Sequence, residues 1–172
     1  MSRLTNRHQL ICHRALIFLT ERMDNLKREV LNYLERSPLI QENLLPLKNG
    51  AVILINIENQ YRIYLRRTPH KILVQTDLQD FDADVEFLFK FEAVRYILAL
   101  RDLNLTDFAI EMIKQASLDN LSLRVHKSFL KLMRLGYFNI LNQAGAPFWN
   151  LMAEYGLGSI SKINQLLQKL RT

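Results

Sequence analysis

Residues 51–67 read Ala51-Val52-Ile53-Leu54-Ile55-Asn56-Ile57-Glu58-Asn59-Gln60-Tyr61-Arg62-Ile63-Tyr64-Leu65-Arg66-Arg67. The first run, 51–57, is apolar except at Asn56 and rich in β-branched residues. The second, 60–67, alternates: Tyr61, Ile63 and Leu65 fall on one side, Arg62, Tyr64 and Arg66 on the other. A repeat of two is that of a β-strand, whose successive side chains point to opposite faces. The short polar link Glu58-Asn59 makes the two runs a hairpin. Downstream, Thr68-Pro69-His70 supplies a turn and 71–76 a third strand. An acidic loop from Asp77 to Asp84 leads into a fourth, 85–89, with Val85, Phe87 and Phe89 on one side. Four short-linked strands in succession predict an antiparallel meander.

On either side of these strands the repeat changes to that of a helix. Upstream, Leu16, Leu19, Met23, Leu26, Val30 and Leu34 recur at steps of three and four, one stripe of a helix over 7–36. Ser37-Pro38 ends it, because the residue before proline is pushed out of helical geometry. Downstream, helices are predicted over 92–101 and, capped by Thr106, over 107–116. Leu121-Ser122-Leu123-Arg124-Val125 alternates as a fifth strand. Residues 127–142 form one strongly apolar helix, 143–147 a linker and 148–155 a short helix. Ser159 caps a last amphipathic helix with the stripe Ile160, Ile163, Leu167 and Leu170. The expected fold is α+β: a five-stranded, mostly antiparallel sheet covered on one face by helices. A long N-terminal helix precedes it and a helical C-terminal extension follows.

The chain has 172 residues, 49% hydrophobic and 23% charged, which suits one globular domain and excludes a disordered tail. Its net charge of +6 is unevenly spread. Residues 77–120 carry 10 acidic and 4 basic side chains, whereas 121–172 carry 1 and 7. One surface is therefore expected to be more positive than the rest. The single cysteine, Cys12, excludes a disulfide framework and fits a reducing compartment. The most apolar N-terminal stretch, 10–19, is interrupted by His13-Arg14 and is shorter than a membrane span or a secretory leader demands. The expected location is the cytoplasm, with peripheral attachment at the inner membrane surface as a variant of it.

No catalytic constellation is found. Asp77, Asp80, Asp82 and Asp84 suggest a calcium loop, but counting from Asp80 places Val85 where glycine is needed and Phe91 where glutamate is needed. A solvated loop is expected instead. His8 and His13 are five apart, wrong for a zinc pair on one helix face, and His70 and His126 read as surface or capping residues. Cys12 reads as a packed thiol. There is no nucleophile elbow, P-loop or dinucleotide fingerprint, so no enzyme activity, metal or cofactor is expected.

Two groupings remain. Phe87, Phe89, Phe108, Phe129 and Met133 fall on elements that should stack between sheet and helices. Such residues most often simply pack, but they also suit the walls of an apolar ligand cavity. Lys127, Lys131 and Arg134 recur at steps of four and three, one face of the helix over 127–142, and suit an anionic membrane surface. A protein partner bound by the apolar C-terminal helices, as in an adaptor or assembly subunit, is the alternative. Nucleic acid comes third, since no RNA-reading motif accompanies the basic residues.

The order of elements resembles the sterol carrier protein type-2-like domain family. Ala83-Asp84-Val85-Glu86-Phe87-Leu88-Phe89 is similar to that family's fourth strand, entered through an Asp-Val step and followed at once by a helix. Residues 108–125 resemble its short helix and the strand with a leu-x-ile-x-gly signature, here Leu121-Ser122-Leu123-Arg124-Val125. The family's glycines around that strand are replaced, with Ser117 and His126 at or near their positions. In size and N-terminal helix the chain is most similar to small bacterial members that are accessory factors in ubiquinone biosynthesis. The resemblance covers about residues 25–142. It implies a lipid-binding domain over 1–142, with 143–172 as a helical extension. It further implies a non-catalytic accessory protein that holds a lipid or polyprenyl chain in an apolar cavity and presents it to enzymes, itself in contact with protein partners of a biosynthetic complex.

Overall fold

The computed structural model describes residues 24–76, 82–100 and 103–155. Expectations for His8, Cys12, His13, Asp77, Asp80, the helix before residue 24 and the helix capped by Ser159 lie outside the described residues.

The hairpin forms as its alternation requires. Strand β1, Val52–Ile57, pairs antiparallel with β2, Tyr61–Arg67, with Ile55 opposite Ile63. Its turn puts Glu58 and Asn59 at φ of 47° and 58°, the left-handed pair that matches the twist of a hairpin. The Asn56 side-chain oxygen accepts from the Asn59 amide at 3.0 Å and holds the turn. Strand β3, Ile72–Thr76, pairs antiparallel with β2.

The expected meander stops there. Strand β4, Val85–Phe89, lies on the other side of β1 and runs parallel to it, Ile55 beside Phe87, and β5, Leu121–Val125, pairs antiparallel with β4. The sheet order is β3-β2-β1-β4-β5. A parallel neighbour suits β1 because five of its six residues are buried, as befits a central strand covered on both sides. The class stands as expected, α+β with a mostly antiparallel sheet; the succession of neighbours does not.

The described helical side chains of the main core pack on one face. Helix α1 spans 24–36 in the described chain and buries Leu26, Val30 and Leu34, the expected stripe. It ends where Ser37 turns extended before Pro38, which opens a short α2, Pro38–Asn43, absent from the sequence expectation. Helix α3, Phe91–Ala99, buries Ala93, Val94 and Ile97. Helix α4, Leu105–Ser117, is capped by the Asn104 side chain, which accepts from the Asp107 amide at 2.9 Å. Thr106, the expected cap, instead donates its hydroxyl to the Ala144 carbonyl at 2.8 Å.

The single helix expected over 127–142 is two. Helix α5, Phe129–Leu135, is capped by Ser128, and α6, Tyr137–Gln143, begins after Gly136. Gly136 sits at φ 90°, and a Cβ there would lie 2.6 Å from the Pro46 carbonyl oxygen. Only glycine lets the chain turn this close to the 46–48 segment, where the Lys48 amide donates to the Leu135 carbonyl at 2.9 Å. The expected linker over 143–147 is also corrected: α7, Gly145–Glu154, starts inside it and buries Phe148. Pro147 is tolerated because the first turn of a helix has no intrahelical use for its missing N–H.

Candidate functional site

Strand alternation fixes what each sheet face carries. Toward the helices, three cross-strand rows run over β1, β4 and β5: Ile53–Val85–Val125, Ile55–Phe87–Leu123 and Ile57–Phe89–Leu121. The first and third rows are buried throughout. The middle row, Ile55, Phe87 and Leu123, is only half-buried, although it lies between them. The centre of an inner sheet face is ordinarily its most sealed part, because close packing leaves few gaps. Here the helical layer leaves the central row half-buried.

The helices facing that side share the property. Phe108 and Met112 of α4 and Phe138 and Ile140 of α6 pack against the core but stay half-buried. On α4 the sole buried side chain is Gln115, and α6 buries none. By contrast α1 and α3 bury whole stripes. The core side lined by α1 and α3 is thus more fully buried than the side lined by α4 and α6, where the apolar side chains stay half-buried.

Of the residues singled out by sequence, Phe87 lies in the open row, Phe89 in a closed row with its ring 6.4 Å from that of Phe87, and Phe108 on the half-buried face of α4. Phe129 sits edge-on to Phe138 at 4.9 Å, adjoining the same core from α5. Met133 stands apart from them, 48% exposed on the outer side of α5. Ile55 and Leu123 were not singled out. Their signal was their register opposite Phe87, which becomes visible only once β1, β4 and β5 are known to be neighbours.

The basic residues also separate. Lys127 precedes the Ser128 cap and so is not on the helix; its ammonium pairs with the Asp82 carboxylate and is itself largely covered. That bond, foremost, holds the Asp82 carboxyl below its ordinary range. Lys131 and Arg134 lie on α5 and are exposed.

The opposite sheet face carries a second cluster of Val52, Leu54, Tyr64 and Ala83, and beside it two buried carboxylates. Asp84, 3% exposed, is not the solvated loop residue expected. Its Oδ2 accepts from the Val52 amide at 2.8 Å and the Tyr137 hydroxyl at 2.9 Å. Burial, and then the charge of Asp84, raise the Tyr137 phenol far above its ordinary value. Glu86 accepts from the Asn56 amide nitrogen at 2.7 Å, and its other oxygen lies 3.2 Å from His126 Nε2 and 3.9 Å from Arg124. His126 is thus a partner of a buried carboxylate rather than a surface residue. Both carboxylates are fully engaged in joining β1, β4, β5 and α6, which makes them structural. Among the described residues no group of three or more His, Cys, Asp or Glu is placed to hold a metal, and no helix is long and apolar enough to cross a membrane.

No protein-family model and no curated protein matches the chain. Among solved structures it is similar to a "UbiJ-SCP2 Ubiquinone synthesis protein", at 14% identity over 73% of this chain and 99% of that one, with a TM-score of 0.42. At that TM-score the likeness assigns nothing to this chain.

Proposed function

We propose that this protein is a non-catalytic lipid-binding accessory protein of the sterol carrier type, which holds an acyl or prenyl chain in a slot over Ile55, Phe87 and Leu123. The observation that carries the proposal is that this central row stays half-buried while the rows on both sides of it are buried. A linear hydrocarbon laid along the row completes the packing that α4 and α6 leave open. Burial of its surface drives binding at roughly 25 cal/mol per Å². Phe87 and Phe108 form walls of the slot, Phe89 its floor on the closed side and Phe129 its border through Phe138.

The domain resemblance and the slot support the same ligand class, and the family's quinone-pathway members make a polyprenyl intermediate the favoured ligand. The lipid-holding unit comprises residues 1–142, with 143–172 as its extension. The protein presents its lipid to enzymes of a biosynthetic complex on the cytoplasmic side.

Native mass spectrometry of the full chain purified from cells tests this. The expected result is a co-purifying lipid that long-chain prenols or fluorescent fatty acids displace. A clean apo protein that ignores both probes overturns the proposal.

A further inference from the structure

Helix α5 turns an unusual face to solvent. Leu132 is buried and Leu135 half-buried on its inner side, while Leu130 is 64% exposed and Met133 48%. At 100° per residue, Leu130, Met133 and Arg134 share the outward face and Lys131 flanks it. Two large apolar side chains and two cations therefore project together. Single exposed apolar residues are ordinary; a pair one helical turn apart, bracketed by like charges, forms a patch.

The charge along 121–155 is mostly positive. From residue 121 to 155 the chain carries Arg124, Lys127, Lys131 and Arg134, and Glu154 is the acidic member of this stretch. Lys127 is paired with Asp82 from the loop before β4, and Arg124 lies 3.9 Å from Glu86, so the positive charge of the outward face is that of Lys131 and Arg134. We infer that α5 docks this protein on an anionic lipid bilayer, Leu130 and Met133 entering the headgroup boundary and Lys131 and Arg134 meeting lipid phosphates.

The charge pattern favours an anionic bilayer, because apolar side chains gain by leaving water and cations gain by nearing a negative surface at the same depth. A phosphate polymer would use the cations and leave Leu130 and Met133 idle. The inference stands independently of what the slot holds, since α5 faces outward and the slot faces the sheet.

Sedimentation of the full chain with phosphatidylcholine vesicles, with and without about one third phosphatidylglycerol, tests it. Binding is expected only with the anionic lipid. Leu130→Ser combined with Met133→Ser is expected to weaken it at least about tenfold, and Lys131→Glu with Arg134→Glu by a similar factor that shrinks as salt is added. All four residues are exposed, so folding is expected to persist, which far-ultraviolet circular dichroism checks. Equal binding to neutral vesicles, or full binding by the Leu130/Met133 variant, overturns the inference. Loss confined to the charge variant would assign α5 to a polyanion instead and equally overturns it. Lipid content by native mass spectrometry of the same variants separates failure of docking from failure of the slot.

Discussion

The Tyr137 hydroxyl donates to the Asp84 carboxylate at 2.9 Å, joining the first residue of α6 to the residue before β4. The same Asp84 oxygen accepts from the Val52 amide at the start of β1. This one carboxylate therefore fastens the parallel β1–β4 pair at its open end and anchors the helix that covers the slot.

Tyr137→Phe removes one donor and leaves a buried carboxylate short of a partner, at a cost of about 1–3 kcal/mol in urea unfolding at pH 7. The pH dependence has a definite sign. The folded phenol holds its proton more tightly than the unfolded one, so its contribution is fully present below the ordinary value of 10.0 and is lost as pH rises beyond it. The wild-type protein should lose stability more steeply above that pH than Tyr137→Phe. Parallel curves for the two would contradict the assignment.

Gly136 and Gly50 offer a controlled comparison. Both have positive φ, 90° and 88°, but a Cβ at Gly50 meets nothing within 4 Å while one at Gly136 meets the Pro46 carbonyl oxygen at 2.6 Å. Gly50→Ala should cost about 1 kcal/mol, the left-handed penalty alone. Gly136→Ala adds a clash with backbone that cannot swing away, and its cost should exceed that of Gly50→Ala by at least about 1 kcal/mol. Equal thermal shifts for the two would show that α5 and α6 hinge without that contact.

On the outer side of α3 and α4, Glu111 accepts from Lys114 at 2.6 Å and from the Tyr96 hydroxyl at 3.0 Å. The Lys114 bond, foremost, lowers the Glu111 carboxyl below its ordinary value of 4.5. A depressed carboxyl contributes stability above its unfolded value and loses it as pH falls through the folded one. Lys114 is 55% exposed, so the effect is small, a few tenths of a kcal/mol. Glu111→Gln should cost that amount at pH 7 and almost nothing well below pH 4.5, which flattens the acid side of the stability profile, as read by urea titration at both values.

Much of this fold was legible because its strands obey the repeat of two. The expected boundaries of β2, β4 and β5 agree with the structure to within a residue. What periodicity does not encode is which strand lies beside which. The hydrogen-bonded neighbours of 85–89 depend on where the chain returns, and the run Val52–Ile57, apolar on both faces, was the one sign of a central strand. Asp84 reads as solvated because acidic residues before a strand usually are; its burial, like that of Glu86 within β4, depends on Tyr137 and Asn56, distant in sequence. Gly136 lies inside an apolar run, where a lone glycine is itself a break signal. The slot shared this fate: its aromatic members were visible as residue types, while Ile55 and Leu123 became candidates only through register.

That register gives the sharpest test of the proposed ligand site. Leu123 lies in the half-buried row and Val125, two residues along the same strand face, in a closed one. Leu123→Trp adds bulk where the helical layer leaves space, so it should fill the slot with little change in stability. Val125→Phe adds bulk where Val125 is 1% exposed and should cost about 1–3 kcal/mol through overpacking. Displacement of a fluorescent fatty acid should therefore fail for Leu123→Trp although the protein melts near the wild-type temperature. A Leu123→Trp protein that retains its lipid, or that is destabilised as severely as Val125→Phe, would mean that the central row is sealed in solution and that the lipid, if held, lies elsewhere.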